Sequence, residues 1–240
     1  EAQEKVAVQV AEQMTDFLLT GAVANAINMA PVSAEEAPKL KPYMTLAEQL
    51  GSFAGQATQT AYKEITVEFE GEVAALNCKP LTAIALQGLL APLLEGVNMV
   101  NAPAIAAERN IRVREITSDG AGDYHTLITL IVTTEQQTRS ISGTLFNDEP
   151  RIVAIKGIHM DAKLGPNMLF VTNRDKPGLI GALGTLLGDA GVNIATFNLG
   201  RAEAGGDAIA LIEIDDPPSQ ELIDKVCCLE HVIMAKAMRF

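Results

Sequence analysis

The sequence has few aromatic residues and little cysteine. Aromatic side chains make up 4% of the 240 residues, and there is no tryptophan. Hydrophobic residues nevertheless make up 48% of the chain, so the core is predicted to be built mainly from aliphatic side chains. A chain of this length can form one large domain or two domains of ordinary size.

The three cysteines, Cys78, Cys227 and Cys228, include no Cys-x-x-Cys pair. Adjacent cysteines seldom form a disulfide with each other, because the required geometry is strained. We interpret all three as reduced thiols, partly buried in the core, rather than as a metal or redox site. Reduced thiols are typical of a cytoplasmic protein.

Positive charge is also scarce. The chain has 18 Lys and Arg residues against 30 Asp and Glu residues, which gives a net charge of −12. This balance argues against a nucleic-acid partner, although a few local cations could still bind a small anion. No apolar run has membrane-spanning length and the Glu-rich start is not typical of a signal peptide, so we expect a cytoplasmic location and no membrane partner.

A dinucleotide-binding fingerprint is missing as well. Such a site needs G-x-G-x-x-G between a strand and a helix. The nearest candidates, Gly181, Gly184 and Gly188, have a different spacing and fall inside a predicted helix. We interpret them as glycines that allow close helix packing, and we predict no cofactor-binding residue in this chain.

The three histidines, His125, His159 and His231, show no nucleophile pattern and no His-x-x-x-His spacing. We expect His125 and His231 to be structural residues near strand ends. The sequence therefore predicts neither a catalytic residue nor a metal ligand.

The residues that are present organise the C-terminal part around the stretch 167–201. An apolar run at 168–171 is followed by Asp175-Lys176-Pro177-Gly178 and then by apolar residues at helical spacing. Pro177 is predicted to lie in the first turn of this helix, and Gly191 to end it in a left-handed conformation. A second strand is predicted to start at Val192.

Three further elements are predicted, a strand at 207–214, a helix at 219–226 and a strand at 232–238. The resulting order, strand–helix–strand–strand–helix–strand, is typical of the ferredoxin-like split βαβ fold. The motif N-R-D-K-P-G-L, followed by G-V-N-I, resembles that of the ACT domain, a small amino-acid-sensing module. The resemblance implies a regulatory domain at 165–240.

The first part of the chain is predicted to begin with a long helix at 1–28 and a linker broken by Pro31, Pro38 and Pro42. Further helices are predicted at 46–61, 81–90 and 101–110, and strands at 64–70, 111–116, 124–133, 137–145, 151–155 and 158–163. The predicted fold class is therefore α+β, with one α+β unit ahead of the ferredoxin-like βαββαβ module.

Sequence pieces from this first part extend the resemblance. They are E-A-Q-E-K-V-A-V-Q-V-A-E-Q-M, G-A-V-A-N-A-I-N, L-A-E-Q-L-G-S-F-A, V-N-M-V-N-A-P and S-G-T-L-F. Together they are similar to the C-terminal regulatory half of the D-3-phosphoglycerate dehydrogenase family in its long bacterial form. The resemblance implies a helix and linker from the end of the catalytic lobe at 1–32, an intervening domain of the allosteric substrate-binding type at 33–164, and the ACT domain at 165–240.

For function, the resemblance implies an NAD-dependent oxidoreductase of L-serine biosynthesis that converts 3-phosphoglycerate to 3-phosphohydroxypyruvate. In that family a catalytic histidine lies just upstream of the residues that match Glu1-Ala2-Gln3. We therefore expect NAD binding and catalysis outside this chain. The chain itself would bind L-serine as a feedback inhibitor and form a homo-oligomer through its ACT domain.

A candidate amino-acid site lies at the start of the predicted helix after Pro177. Unpaired backbone N–H groups there would bind a ligand carboxylate, and Asp175 could hold the ammonium group by a charge-assisted hydrogen bond. Asn173 and Asn193 would add amides at adjacent strand ends. The alternative is that Asp175 only caps the helix and that Asn193 only shapes a turn.

The resemblance implies that Asn173, Asp175 and Asn193 line an L-serine site between two facing ACT domains, although the family varies at the Asn173 position. The predicted effector-binding residues are Asn173, Asp175, Pro177, Gly178, Leu179, Asn193 and Ile194.

A second candidate site is cationic. If the hairpin at 151–163 has a three-residue loop, Arg151 lies opposite Lys163 with His159 on the same face, whereas a two-residue loop would break that alignment. The resemblance implies an anion site here, between the intervening and ACT domains, for phosphate or a phosphorylated three-carbon acid. The alternative is a solvated strand face.

The favoured hypothesis is a regulatory and oligomerising portion of a dehydrogenase of this family. The alternative is a stand-alone amino-acid-sensing regulatory subunit without its own enzyme half. The uncapped helix at Glu1 favours the first hypothesis, because a free-standing sensor is expected to begin with a cap or a disordered tail. A purely structural dimerisation module is the third possibility, and it would bind no small molecule.

Overall fold

The computed structural model describes residues 2–23, 26, 28, 31–58 and 60–240. It confirms the α+β class, with the strands gathered into two sheets. A short 3₁₀ helix, Glu72–Ala75, is left unnumbered here. The numbered elements are α1 Ala2–Thr20, α2 Ala37–Ala57, β1 Tyr62–Gly71, α3 Lys79–Leu90, α4 Ala102–Glu108, β2 Arg112–Ser118, β3 Thr126–Thr134, β4 Thr138–Phe146, β5 Glu149–Ile155, β6 Ile158–Ala162, β7 Asn167–Arg174, α5 Leu179–Asp189, β8 Ile194–Arg201, β9 Asp207–Ile214, α6 Gln220–Cys227 and β10 Val232–Arg239.

The second sheet has the strand order β10-β7-β9-β8, and neighbouring strands are antiparallel. Leu183 and Leu187 of α5 pack in one core with Leu169, Val171 and Ile212 of the sheet, and α6 adds its own apolar residues. The chain order β7-α5-β8-β9-α6-β10 is the predicted ferredoxin-like order.

The first sheet has the order β2-β1-β3-β4-β5-β6. Strands β1 and β2 pair in parallel, and the other neighbours pair antiparallel. Helices α2 and α3 pack on this sheet and cross each other at Gly51, Gly55 and Gly88. A Cβ atom on Gly51 would lie 2.1 Å from the Ala85 carbonyl oxygen, so the two helices touch through their backbones.

The two sheets share one hydrophobic core. Met168 and Phe170 of β7 and Met238 of β10 belong to the same buried cluster as α2 and the first sheet. The rings of Phe53 and Phe170 meet edge to face, with centroids 5.0 Å apart. The face of the second sheet that turns away from α5 and α6 is therefore covered by the rest of the chain.

Hydrogen bonds from Gln56, at the end of α2, join the same two parts. Its side-chain Nε2 donates to the Arg239 carbonyl oxygen (2.7 Å), and its Oε1 accepts from the Arg239 N–H (2.9 Å). Lys236 Nζ donates to the Gln56 carbonyl oxygen at 3.0 Å. The side-chain amide of Gln56 thus extends the edge strand β10 as a backbone amide would.

The predicted helix at 1–28 is shorter than expected. It ends at Thr20, because Gly21 adopts a left-handed conformation with φ of 77°. Residues 24, 25 and 27, in the remainder of that prediction, lie outside the described residues. Large apolar residues of this helix are exposed, namely Val6, Val10, Met14, Phe17 and Leu18.

The prediction that Pro38 and Pro42 break the chain into a linker was wrong. Both lie in α2, which begins at Ala37. Pro38 is in the first turn, where no helical N–H bond is lost, and Pro42 removes one bond near the start of a long helix. Burial of Leu40, Tyr43 and Leu46 on the core side outweighs that loss.

Pro177 was predicted in the first helical turn, but it precedes the helix. Gly178 is the N-terminal flanking residue of α5, with φ of 103° in the left-handed region, and Leu179 is the first helical residue. This conformation suits glycine, which has no Cβ atom to clash. The prediction for Gly191 is confirmed, since its φ is 71°.

The prediction of close packing at Gly181, Gly184 and Gly188 was also wrong. A Cβ atom on any of these three residues of α5 would meet no atom of the described residues within 4 Å. The close helix crossing occurs instead between α2 and α3.

The cysteines form no disulfide: Cys78 is buried, and Cys227 and Cys228 are exposed. Burial, and then the charge of Glu115, raise the pKa of the Cys78 thiol to about 11, which keeps it protonated and unreactive. No helix in the described part of the chain combines the length and apolar character needed to cross a membrane.

Candidate functional site

A groove of about 330 Å³ opens where the end of β7, the start of α5 and the end of β8 meet. It contains five of the seven residues predicted for the effector site. The residues that line it are Asn173, Asp175, Lys176, Pro177, Gly178, Leu179, Ile180, Gly181, Leu199 and Arg201.

One side of the groove offers hydrogen-bond donors. The first helical hydrogen bond of α5 runs from the Ala182 N–H to the Gly178 carbonyl oxygen (2.9 Å). The N–H groups of Leu179, Ile180 and Gly181 therefore have no acceptor within the helix. They lie at the positive end of the helix dipole, which favours a negatively charged group.

Asn173 offers an acceptor. The residue is only 2% exposed, and its Nδ2 donates to the Arg174 carbonyl oxygen at 2.8 Å. That bond fixes the amide so that Oδ1 is the other atom, and Oδ1 is buried without a hydrogen-bond partner among the described residues. A buried acceptor of this kind calls for a donor from a ligand or from water.

Asp175 supplies negative charge beside Asn173. Its Oδ2 accepts from the Gly205 N–H (3.1 Å) and from Arg201 Nη1 (3.0 Å). These two bonds, the Gly205 bond first, lower the pKa of the Asp175 carboxyl below its ordinary value. The groove thus places an ionised carboxylate and a neutral amide oxygen opposite a helix N-terminus.

Asn193 and Ile194 do not join this groove. Asn193 Nδ2 donates to Asp215 Oδ2 (2.9 Å), and Ile194 packs against the core of the second sheet. Ile194 and Arg201 are the two ends of β8, and a strand rises about 3.3 Å per residue, so they lie roughly 23 Å apart. The expectation that Asn173 and Asn193 lie at adjacent strand ends is therefore wrong within one chain.

Sequence analysis missed Leu199 and Arg201, which line the groove from β8. Strand β8 runs antiparallel to β9, which runs antiparallel to β7, so the C-terminal ends of β7 and β8 lie at the same edge of the sheet. The alternation of the strand then puts Leu199 and Arg201 on the α5 side. The predicted ferredoxin-like topology already implied these strand directions and could have been used to find both residues.

The cationic hairpin has the shorter of the two loops considered. Ile155 pairs with Ile158, so the loop is Lys156-Gly157, and both residues have positive φ, as a two-residue loop of type I′ requires. A bulge in β6 adds one residue before Ala162, which pairs with Ile152. Continuing this register brings Arg151 opposite Lys163, so the expected loss of alignment was wrong.

Arg151 and Lys163 meet at a shared carboxylate. Glu149 Oε2 lies 3.2 Å from Lys163 Nζ and 3.8 Å from Arg151 Nη2, and Asp161 Oδ1 lies 3.7 Å from Arg151 Nη1. Arg151 Nε is buried without a hydrogen-bond partner among the described residues. The two cations are thus balanced by two carboxylates, and the exposed His159 takes part in neither of these interactions.

Arg151 also lines a pocket of about 380 Å³. The histidine in this pocket is His125, which sequence analysis had treated as structural, and not His159. The lining residues are Asp123, Tyr124, His125, Thr144, Leu145, Phe146, Arg151, Val153, Met160 and Asp161.

Comparison with known proteins matches both parts of the chain. A family model of the D-3-phosphoglycerate dehydrogenase intervening domain matches residues 39–156, and an ACT domain model matches residues 167–227. The ACT match contains the groove residues Asn173 to Arg201, and the intervening-domain match contains Arg151.

Three curated relatives, each named D-3-phosphoglycerate dehydrogenase, resemble the chain over most of its length. The Synechocystis sp. protein is 39% identical over 229 residues, which cover 94% of this chain and 41% of that protein. The Methanocaldococcus jannaschii protein is 35% identical over 94% of this chain and 43% of its own length. The Bacillus subtilis protein is 32% identical over 98% and 45% respectively.

The chain thus spans less than half the length of these relatives. The two domain matches follow each other in the order that the two sheets have along the chain. The chain belongs to the D-3-phosphoglycerate dehydrogenase family and carries its intervening domain followed by an ACT domain.

Proposed function

We propose that this chain is the regulatory and oligomerising portion of an NAD-dependent D-3-phosphoglycerate dehydrogenase and that its groove at Asp175 binds L-serine as a feedback effector. The complete enzyme would oxidise 3-phosphoglycerate to 3-phosphohydroxypyruvate in the cytoplasm, with its NAD site and catalytic residues outside this chain. The observation that carries the effector proposal concerns Asn173, a residue of the groove lining. Its Oδ1 atom is buried and has no hydrogen-bond partner among the described residues.

The groups of the groove complement those of a free amino acid. The ligand carboxylate would accept hydrogen bonds from the N–H groups at the start of α5, at the positive end of the helix. The ammonium group would donate to Asp175 and to Asn173 Oδ1, which pairs the ligand cation with an ionised carboxylate. The groove, of about 330 Å³, has room for a small amino acid such as serine.

A second copy of the chain would complete the site. Strand β8 is an edge of its sheet, and an exposed edge favours pairing with another strand. Two β8 strands related by a two-fold axis would pair antiparallel, so the start of one strand would lie beside the end of the other. Asn193 of the partner subunit would then approach Arg201 and the groove, and its amide could bind the serine hydroxyl.

Calorimetric titration of the 240-residue chain with L-serine, D-serine and glycine tests this proposal. L-serine should bind most tightly, because D-serine misplaces the hydroxymethyl group and glycine lacks it. Asp175→Ala should weaken L-serine binding more than Asn193→Ala, because a charge-assisted hydrogen bond contributes about 1.5–3 kcal/mol and a neutral one about 1 kcal/mol.

Asp207→Ala is the matched control for the charge. Asp207 is exposed and pairs with Arg174, and neither residue lines the groove. This variant should leave the L-serine affinity within about twofold, since a screened surface charge has little effect. Equal affinity in the wild type and Asp175→Ala would exclude the site, and absence of amino-acid binding would leave only a structural module.

We also propose that the β5–β6 hairpin binds phosphate or a phosphorylated three-carbon acid through Arg151, His159 and Lys163. The support is the convergence of Arg151 and Lys163, together with Arg151 Nε, which has no hydrogen-bond partner among the described residues. Because Glu149 and Asp161 already pair with these cations, an anion would have to displace them. We therefore expect a low affinity.

Phosphate should raise the unfolding temperature of the chain, since a ligand that binds only the folded state stabilises it by RT ln(1 + [L]/Kd). Arg151→Ala should remove most of this increase. Arg112→Ala should not, because Arg112 is an exposed arginine of β2 that pairs with Glu64 of β1. Comparing His159→Ala with His125→Ala tells whether the anion lies on the hairpin or in the pocket that His125 lines. A phosphate response unchanged in Arg151→Ala would restore the solvated-face interpretation.

A further inference from the structure

The last residue of β8 and the turn between β8 and β9 are attached to Asp175 by three hydrogen bonds. Asp175 Oδ2 accepts from Arg201 Nη1 (3.0 Å) and from the Gly205 N–H (3.1 Å), and the Asp175 N–H donates to the Gly206 carbonyl oxygen (2.8 Å). Both side-chain bonds go to the same carboxylate oxygen. Asp175 Oδ1 has no hydrogen bond to any described residue.

Arg201 lies in the lining of the groove, yet its charge is already neutralised. Its side chain is 60% exposed, and the Asp175 side chain that it contacts is 22% exposed. An unpaired guanidinium at this position would repel a ligand ammonium group, whereas the ion pair presents little net charge. The arginine thus supports a cation site only while it remains bound to Asp175.

We propose that Arg201 is a positioning residue of the amino-acid site, which together with Gly205 holds one oxygen of Asp175 so that the other oxygen faces the ligand ammonium group. This inference rests on the proposed function, because it assigns Arg201 a role only if Asp175 binds an amino acid. Arg201 acts through Asp175 and makes no contact of its own with the ligand.

The other cations near Asp175 are Arg174 and Lys176, and neither donates a hydrogen bond to the Asp175 carboxylate. Arg174 pairs with Asp207 across β7 and β9, and its N–H donates to the carbonyl oxygen of His231 rather than to Asp175. Lys176 follows Asp175 in the chain and affects it only through its charge. Arg201 is therefore the cation whose removal changes the geometry of the carboxylate.

A double-mutant cycle on L-serine affinity tests the assignment. Calorimetry would compare the wild-type chain with Arg201→Ala, Asp175→Asn and the double variant. Arg201→Ala should weaken binding about tenfold in the presence of Asp175 and by less than about twofold in the Asp175→Asn background. A purely structural role would give the same loss in both backgrounds.

Two further variants keep the result interpretable. Arg201→Lys keeps the charge and one donor, so it should recover part of the lost affinity, and its thermal unfolding shows whether the turn still folds. Arg174→Ala is the matched control, since it removes an arginine of similar exposure from the same edge of the sheet without touching Asp175. It should change the L-serine affinity by less than about twofold.

The outcomes separate the inference from the proposed function. If Asp175→Asn leaves L-serine binding unchanged, the amino-acid site itself is wrong. If Asp175→Asn weakens binding and Arg201→Ala does not, the site stands and the role of Arg201 is wrong. An equal loss from Arg201→Ala in both backgrounds would also overturn the inference, because Arg201 would then act independently of Asp175.

Discussion

Asn173 lines the groove as a buried residue whose side-chain oxygen lacks a hydrogen-bond donor among the described residues. Asn173 is buried because it is the penultimate residue of β7, a central strand of the sheet. A buried acceptor without a donor costs about 1–3 kcal/mol. The ammonium group of a bound amino acid would supply the missing donor. Binding would then remove an unfavourable contribution to the free energy of the unbound protein.

Because Asp175 changes its protonation state at acid pH, the free energy of unfolding is expected to depend on pH in that range. The Gly205 N–H, and then Arg201, lower the pKa of this carboxyl. Because its pKa is lower in the folded state, the stabilisation is complete above the unfolded-state value of about 3.9 and is lost as the pH falls through the folded-state value.

We therefore expect Asp175→Asn to lower the free energy of unfolding at neutral pH, with a difference from wild type that shrinks once the pH falls below about 4. Urea denaturation of both proteins over a series of pH values measures this. A difference that stays constant down to the acid limit would show that the carboxylate charge does not contribute.

For individual residues, the sequence predicted those groove residues that lie at the junction between β7 and α5. Asn173, Asp175 and Gly178 follow one another there, and all three line the groove. Arg201 could not be found in the same way, because it reaches Asp175 only when β8 returns antiparallel to β9. Asn193 was misplaced because it precedes the start of β8, whereas Asn173 lies near the end of β7. These two strands run in the same direction, so the two residues lie at opposite ends of the sheet.

For the helices, the spacing of glycines in the sequence does not decide which glycines lie at a close helix contact. Glycines at regular spacing in α5 have open space around them, whereas Gly51 and Gly55 of α2 lie against the backbone of α3. Both helices carry glycines three or four residues apart. Only the partner helix decides which of them require the absence of a side chain, and the partner is fixed by tertiary packing.

The hairpin gives a second example. A two-residue loop at Lys156-Gly157 was among the predicted alternatives, but the bulge in β6 was not. A bulge adds one residue without a strong local signal, and it reverses the conclusion about which side chains face each other. The bulge therefore compensates for the shorter loop and brings Arg151 opposite Lys163.

The end of α2 connects the intervening and ACT domains through Gln56. Gln56→Ala removes two hydrogen bonds to the Arg239 backbone, and each contributes about 1 kcal/mol, so we expect a loss of about 2 kcal/mol in the free energy of unfolding. Gln49→Ala, two turns earlier in α2, is the matched control, because its side chain makes no hydrogen bond to a described residue. It should cost less than about 0.5 kcal/mol.

Urea denaturation of the two glutamine variants decides the point. Equal stability of Gln56→Ala and Gln49→Ala would show that the apolar core alone holds the domains together and that the amide bonds are exchanged for water without loss.

For the whole molecule, the shared core follows from a feature of β7. Its residues 168–171 are apolar on both faces, which is typical of a strand covered on both sides. Leu169 and Val171 face α5 and α6, whereas Met168 and Phe170 face α2. The sequence contained this signal, but it does not say which part of the chain covers the second face.

A shared core predicts that the chain unfolds in one cooperative transition rather than domain by domain. Tyrosines report on the intervening domain alone, because Tyr43, Tyr62 and Tyr124 all precede the ACT domain and the chain has no tryptophan. Far-ultraviolet circular dichroism reports on both domains. The urea transitions followed by tyrosine fluorescence and by circular dichroism should therefore coincide.

Phe170→Ala makes this test sharper, because Phe170 belongs to the ACT sheet and contacts Phe53 of α2. Removing a buried phenylalanine costs about 3–5 kcal/mol, so both signals should shift together to a lower urea midpoint. Ile180→Ala is the control, since Ile180 of α5 is 56% exposed and should leave the midpoint nearly unchanged. If Phe170→Ala shifted the circular dichroism transition while the tyrosine transition stayed at the wild-type midpoint, the two domains would fold independently and the common core would contribute little to their stability.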